Sequence, residues 1–266
     1  MPEVPPKLAY QQVSDKLDWA KQHIQKLHTV HREWWEVNPT VITGETNSDT
    51  GDVTYYVDKV PSIPSTIPLI TGDILHSLRG ALDYLACGIV PVVTHDTKFP
   101  IAHSAQAYEA SLSRLVPGLQ GEALETLNSI RPYQGGNLCI WELHRLNIID
   151  KHRLLLTVGA INMGPRFFKE GPPTQEKSGP KQVVFKANDG TEVIIKFVKQ
   201  GPVSLYQGQE LLTLSASQTQ KEVSFCVAVG INEPGLAEGI PLLMLLELIS
   251  AHVGIAIRKL APFIVR

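Results

Sequence analysis

Ionisable side chains recur at helical spacing in a stretch near residue 80. His76, Arg79 and Asp83 follow one another at intervals of three and four residues, beside a stripe of leucines. Because residues three and four apart share one face of an α-helix, we expect these three side chains to point the same way. An imidazole, a guanidinium and a carboxylate on one surface can transfer protons and bind anions. The stretch is therefore the first candidate for a functional site.

The segment 138–160 is predicted to form a helix that is apolar on all sides and still carries many charges. A helix of this kind is typical of the centre of a protein. A buried charge is costly unless it is paired. We therefore expect the charged residues of the segment 138–160 to face the stretch around residue 80, with Asp83 pairing with Arg145 or Arg153. The predicted polar cluster contains His76, Arg79, Asp83, Arg145, Asp150, His152 and Arg153.

The spacing of Arg145 and His152 is similar to that of HEPN ribonucleases, whose helical bundles present an arginine followed by a histidine a few residues later. Six residues separate the two side chains here. On a helix they would lie about 20° apart around the axis and about 10.5 Å apart along it. The similarity implies a metal-independent ribonuclease in which His152 is the general acid or base and Arg145 holds the phosphate, with RNA as the partner and no cofactor.

Four short motifs also resemble those of an uncharacterised bacterial family with an LRxALDxL helix, an FPI segment, a PY turn and a DKHR helix. The matching residues are Leu78-Arg79-Gly-Ala-Leu82-Asp83-Tyr-Leu85, Phe99-Pro-Ile101, Arg131-Pro-Tyr133 and Asp150-Lys-His-Arg153. The resemblance covers roughly residues 60 to 160. It implies a shared helical core and implies no activity.

A second class of function fits the same residues. The charge cluster equally suits a structural ion-pair network in a non-catalytic ligand-binding or homo-oligomeric protein. The apolar segment 240–260 would then be the surface for a second copy, and a cluster at the end of the first helix would line a ligand pocket or dimer contact. That cluster consists of His28, His31, Trp34 and Trp35. Whether the protein is an enzyme therefore stays open at this point.

A third class, a metal-dependent HD-type phosphohydrolase, is suggested by the adjacent His95 and Asp96. His76 and Asp150 would supply the remaining ligands, and imidazole with carboxylate suits a divalent transition metal. The His95-Asp96 pair, however, falls in a predicted loop instead of the helix that this motif requires. Our main interpretation therefore includes no metal site.

The charge balance and the cysteines limit the class of protein. With 24 Lys and Arg against 26 Asp and Glu in 266 residues, the net charge of −2 offers nucleic acid no overall attraction, so RNA would need a local basic patch. The three cysteines are widely spaced, which argues against a disulfide framework and favours reduced thiols. With no secretion signal predicted at the start of the sequence, we expect a cytoplasmic protein.

Residues 240–257 are almost continuously apolar, which raises the question of a membrane span. Glu247 and His252 interrupt the run, and a charge at the centre of a bilayer costs at least about 2.5 kcal/mol. We therefore expect a buried helix over 240–260 and no membrane association.

The periodicity of the chain predicts an α+β protein, with a helical core of about four main helices and an antiparallel β-sheet of about five to six strands. Thr71 is expected to cap the second helix. The main helices are predicted at 7–37, 71–88, 138–160 and 240–260, and weaker helices at 105–115 and 121–130.

We expect a single domain over residues 1–266. Its mainly helical region spans 1–164 and includes an early hairpin at 40–57. A connector rich in glycine and proline is expected at 164–180. The β-rich region spans 181–230, with a tight turn at Asn188-Asp-Gly190, and the helix at 240–260 closes the chain by packing on the helical core.

Overall fold

The computed structural model describes residues 5–152, 158–167, 174–179, 182–186, 192–197, 203–216 and 223–265. This part of the chain is an α+β structure, which confirms the predicted class, and its strands divide between two antiparallel sheets instead of the single predicted sheet. The helices are α1 (Pro6–Val37), α2 (Thr66–Ile89), α3 (Ala105–Leu115), α4 (Gly121–Ile130), α5 (Leu138–His152) and α6 (Leu242–Leu260), followed by a 3-10 turn at Ala261–Phe263.

The first sheet begins with the predicted early hairpin, β1 (Val41–Thr46) and β2 (Val53–Lys59), which pair antiparallel. The side chain of Asn47 accepts hydrogen bonds from the backbone amides of Asp49 and Thr50 and so stabilises the connecting turn. β2 pairs in turn with β8. The sheet order is β1-β2-β8-β6-β5-β4, with β4 at Thr174–Gly179, β5 at Gln182–Lys186, β6 at Glu192–Phe197 and β8 at Glu210–Leu214.

The second sheet places β3 (Val158–Phe167) between β7 (Val203–Ser204) and β9 (Val223–Ile231). In the first sheet, β5 and β6 pair antiparallel as predicted, while the turn expected at residues 188–190 lies outside the described residues.

The helices bury one large apolar core. The stripe of α1, with its alternating spacings of four and three, is buried at Val13, Leu17, Ala20, Ile24 and Leu27. This stripe packs against α2, and α6 packs against α1, α2 and α5. Among the described residues, no helix is both long enough and apolar enough to cross a membrane.

The structure corrects the predicted start of α2. The helix begins at Thr66, five residues before the predicted start, and includes Pro68 in its first turn. Proline is tolerated there because the first amides of a helix have no partner within the helix. Thr71 therefore lies inside the helix, where its hydroxyl donates to the carbonyl oxygen of Ile67 at 2.8 Å, and the predicted cap is wrong.

The structure also corrects the region after α5. Residues 158–160, predicted as the end of a helix, begin β3, and the predicted connector at 164–180 contains the last four residues of β3 and all of β4. The pairing of β3 with β9 is irregular between Asn162 and Pro165. A bulge of this kind accommodates a proline that cannot donate to the ladder, which explains why the composition resembles a loop.

A turn between β9 and α6 depends on a carboxylate of α5. Ala237 has a φ of 49°, in the left-handed region that side chains rarely adopt. Its backbone amide donates to Oε1 of Glu142 at 3.0 Å, and Glu142 is buried. Burial raises the pKa of Glu142, and the hydrogen bond from Ala237 opposes that shift. The turn that leads into α6 is thus held by α5.

We expect Glu142→Ala to lower the free energy of unfolding by about 1–3 kcal/mol, because the Ala237 amide loses its buried acceptor. Glu142→Gln keeps an oxygen acceptor of the same shape and should cost clearly less. Urea denaturation of the two variants and the wild type measures the difference. Equal losses in both variants would contradict this role of the hydrogen bond.

Candidate functional site

Polar side chains of α2 and α5 face each other across an antiparallel helix contact. A Cβ atom on Gly72 would lie 2.6 Å from Oδ1 of Asp150, while Arg79 lies near enough to His144 to affect its pKa. Residue numbers thus rise along α2 as they fall along α5. The absence of a side chain at Gly72 permits this close approach. We call the facing residues the polar seam, which consists of His76, Arg79 and Asp83 on α2 and His144, Asn147 and Asp150 on α5.

Arg79 forms the best-defined interaction of the polar seam. Its side chain is buried, with 5% of its surface exposed. Nη2 donates to the carbonyl oxygen of Phe99 at 2.9 Å and lies 2.8 Å from Oδ1 of Asp83. The same Asp83 oxygen accepts a hydrogen bond from the Phe99 amide at 2.9 Å. The ion pair therefore fixes both backbone groups of Phe99 to α2.

This network continues to the turn after α4. The Ala102 amide donates to the carbonyl oxygen of Pro132, and the Gln134 amide donates to that of Ala102. Three of the motifs noted in the sequence, around Arg79, Phe99 and Pro132, are therefore joined by one chain of contacts. The predicted pairing of Asp83 with Arg145 is wrong, because Asp83 pairs one turn away on its own helix, and Arg153 lies outside the described residues.

Three cations surround His144. Burial, together with the positive charges of Arg79, Lys98 and Arg145, lowers the pKa of His144 to about 4. Lys98 and Arg145 are exposed, whereas Arg79 is buried. We call these four residues the basic cluster. Because the imidazole of His144 is neutral at pH 7, the cluster carries three positive charges, of which Asp83 balances one.

Buried polar atoms of the seam have unused hydrogen-bonding capacity. Within the part of the chain that the structure describes, Nη1 of Arg79, Nδ1 of His144 and Oδ1 of Asn147 are buried and have no hydrogen-bond partner. Buried polar atoms in folded proteins nearly always have partners, so orphan atoms of this kind mark a place for a water or a ligand. Two of the three belong to the basic cluster.

The other end of the seam carries charges of both signs. Burial raises the pKa of Asp150, and the neighbouring Asp73 raises it further. Burial also lowers the pKa of His76, together with the charges of Lys151 and Lys16. Asp73 and His76 are exposed and Asp150 is half-buried. At this end the carboxylates of Asp73 and Asp150 offset the two lysines, so it has no excess of positive charge.

The predicted metal ligands do not come together. His95 and Asp96 lie in the loop between α2 and α3, where Asp96 lies 3.6 Å from the guanidinium of Arg114. Over the described ranges, no group of three or more His, Cys, Asp or Glu side chains has an arrangement that could hold a metal. His95-Asp96 and the pair His76 and Asp150 therefore do not form one site.

The predicted aromatic end of α1 packs within the chain. Trp34 and Trp35 are half-buried against the core, and His31 stacks on Trp35 with 5.6 Å between ring centroids. Burial lowers the pKa of His31, with a contribution from His28. His28 Nε2 lies 2.8 Å from Oε1 of Glu247 and connects α1 to α6. His28 thus contacts α6, Trp34 and Trp35 contact the core, and His31 contacts the two tryptophans.

The predicted catalytic pair is only partly described. Arg145 is an exposed member of the basic cluster, whereas the side chain of His152 lies outside the described residues. Sequence reasoning missed His144 and Asn147 as site residues, and it missed Lys98. The signal for the first two was present, since positions 144, 147 and 150 are spaced three apart and share a face with one another.

We expect Asp83→Ala to lower the free energy of unfolding by about 3 kcal/mol, because removing one partner of the pair leaves the buried Arg79 uncompensated. The control is Asp58→Ala, which removes an exposed carboxylate and should change stability by less than about 0.5 kcal/mol. Chemical denaturation measures both values. Similar losses for Asp83 and Asp58 would show that the pair contributes little.

We expect the imidazole of His144 to titrate near pH 4 in an NMR experiment. Its pKa in the unfolded chain is near 6.5, so between about pH 6.5 and 4 the unfolded state binds the proton first. The contribution of His144 to stability should therefore fall as the pH drops through this range. Comparing unfolding of wild type and His144→Gln at several pH values isolates this effect, with the exposed His103→Gln as control. A pH-independent difference would contradict the burial of His144.

The chain matches no known family model, no curated protein and no solved structure. The function of the protein must therefore be inferred from the side chains of the polar seam and the basic cluster themselves.

Proposed function

We propose that the basic cluster binds the phosphate groups of RNA and that the protein is a metal-independent ribonuclease. The observation that carries the proposal is the placement of three cations around a half-buried, neutral His144, with hydrogen-bonding atoms on both Arg79 and His144 that have no partner within the described residues. The near-neutral net charge of the chain requires such a local patch for any binding of nucleic acid.

Phosphate suits the geometry of this cluster. Asp83 and the Phe99 carbonyl hold Nη2 of Arg79, so the guanidinium is fixed, and its buried Nη1 has no hydrogen-bond partner within the described residues. A donor that is already ordered and desolvated binds an anion more strongly than a mobile surface group does, once the anion reaches it. The exposed Arg145 and Lys98 can approach the same anion from the solvent side.

RNA cleavage without a metal needs groups of the kind that this cluster presents. The 2′-hydroxyl attacks the neighbouring phosphorus, the bond to the 5′-oxygen breaks, and the products are a 2′,3′-cyclic phosphate and a 5′-hydroxyl. A base must take the proton of the 2′-hydroxyl, an acid must protonate the 5′-oxygen, and cations must stabilise the charge on the phosphate. We assign phosphate binding to Arg145 and Arg79.

Two histidines are available for proton transfer. His144 is neutral at pH 7, and its unpaired Nδ1 can accept a proton. A bound phosphate would offset the repulsion from the three cations and so raise the pKa of His144, which makes it a better base in the complex than in the free protein. We assign His152 as the acid; it lies eight residues, about 12 Å, further along α5, so the phosphate that is cleaved has to lie between the two histidines.

We expect the purified protein to cleave single-stranded RNA in the presence of EDTA and to leave 2′,3′-cyclic phosphate ends. Arg145→Gln should lower the rate by about 100-fold, because one cation that stabilises the transition state is lost. His152→Ala should lower it as well. The matched control is Arg32→Gln, an exposed arginine on α1 that should leave the rate unchanged. Gel electrophoresis of labelled oligonucleotides and identification of the product ends measure these effects.

The outcomes separate the alternatives. Cleavage abolished by EDTA would favour a metal-dependent phosphohydrolase, and no cleavage at all would overturn the ribonuclease proposal. If no RNA is cleaved, binding alone is tested by a titration with inorganic phosphate that is followed through the NMR signals of His144. A rise in the His144 pKa that is lost in Arg145→Gln would support a non-catalytic ligand-binding protein. No change would assign the cluster to a structural role.

A further inference from the structure

The closing helix is apolar on the side that faces away from its own core. Its inner face packs against the other helices through residues such as Leu246, Ile249 and Val253, all buried. On the outer face, Met244, Leu248 and Ile255 are 53%, 38% and 42% exposed, and Ala251 is exposed between them. We call these four residues the α6 outer stripe. A helix that is apolar on both faces normally has a partner on each.

The spacing of the α6 outer stripe is that of a helix–helix contact. Its members follow one another at intervals of four, three and four residues, as in the seam of paired helices. Single exposed apolar residues are common, but a row of four along one helix is a continuous surface. The row therefore indicates that the partner is itself an elongated element such as a helix.

A groove of about 360 Å³ runs beside the stripe, between α1 and α6. Ile255 stands at its edge, and the part formed by α6 includes the small residues Ser250, Ala251 and Gly254. Leu17 and Ile24 line the side formed by α1. A projecting isoleucine beside a row of small residues is a surface that can fit a copy of itself, since each Ile255 can enter the groove of the other.

The charges beside the groove favour a second copy of the chain as the partner, with its α6 antiparallel to the first. Glu247 and Arg258 lie on its rim, eleven residues apart on the same side of α6. In a symmetric dimer, the two-fold axis would be perpendicular to α6 and pass near residues 252–253. Each Glu247 would then lie opposite Arg258 of the other copy, which gives two such pairs. The same axis places Ile255 opposite Ser250 of the second copy. Parallel helices would instead bring two glutamates together and two arginines together, which is repulsive.

The charged groups are free to form these pairs. Glu247 contacts His28 through Oε1, and neither its Oε2 nor the Arg258 guanidinium has an ion-pair partner within the described residues. We propose that the protein forms a symmetric dimer in which the α6 helices of two copies pack antiparallel through the α6 outer stripe and the adjoining groove. This inference is independent of the proposed ribonuclease activity, which lies on α2 and α5.

The available surface predicts a dimer of modest affinity. α6 is about 28 Å long, and with a face about 10 Å wide it offers roughly 300 Å² per copy. Stable complexes bury roughly 800 Å² per partner, so the exposed side of α1 along the groove must contribute as well. Interfaces that bury less than about 1,200 Å² in total are typical of weak and transient complexes.

We expect the wild-type chain to show a monomer–dimer equilibrium in sedimentation velocity experiments over a concentration series. Leu248→Glu should raise the dissociation constant by at least about tenfold, because a charge is placed in the apolar contact. Leu69→Glu is the matched control, since Leu69 is an exposed leucine on the surface of α2 and the same change there should leave the equilibrium unaltered. Circular dichroism confirms that both variants fold.

A charge reversal tests the antiparallel arrangement. Glu247→Arg alone and Arg258→Glu alone should each weaken the dimer, whereas the two changes together should restore it, because each pair is rebuilt with its signs exchanged. A wild-type chain that is monomeric throughout the series, or a Leu248→Glu variant that dimerises like wild type, would overturn the proposal. Failure of the double reversal to restore association would overturn the antiparallel arrangement.

Discussion

The burial of one guanidinium group, that of Arg79, constrains the arrangement of the helical layer. A buried arginine costs several kcal/mol unless its charge is compensated and its donors are used. Asp83 supplies the opposite charge from one turn further along α2. The carbonyl oxygen of Phe99 accepts a hydrogen bond from Arg79, and the Phe99 amide donates to the Asp83 oxygen that pairs with Arg79. The segment after α2 therefore has to return to its own helix before the chain continues into α3.

The return of this segment to α2 determines which charged side chains surround His144. Because Phe99 is held in place, the adjacent Lys98 lies near His144. The positive charges of Lys98 and Arg79 both lower the pKa of this imidazole. Asp83 compensates Arg79, but the described residues supply no such partner for Lys98 or Arg145. The ion pair that stabilises the fold thus also leaves an excess of positive charge at one place on a chain that is close to neutral overall.

The sequence predicts elements better than contacts. The stripe of α1 and the ranges of α3 and α4 were predictable because their apolar spacing and their flanking glycine and proline residues agree. The start of α2 was not, since Pro68 resembles a connector until its place in the first turn is known. The start of β3 was predicted as the end of the helix at 138–160, and its second half was missed because Gly164 and Pro165 are typical of loops. Only the pairing with β9 shows the bulge that admits them. For the site, the residue types on α2 were predictable, whereas their partners were not. Arg79 and Asp83 stand one turn apart and satisfy each other locally, so the expected contact between helices is unnecessary.

The buried bond between Glu142 and the Ala237 amide has a consequence for how the molecule opens. α5 carries the basic cluster, and the turn at Ala237 leads directly into α6. Local unfolding of that turn must uncover the Glu142 carboxylate, and undocking of α5 must leave the amide without its acceptor. Both events therefore cost the free energy of this hydrogen bond, which couples the opening of the turn before α6 to the undocking of α5.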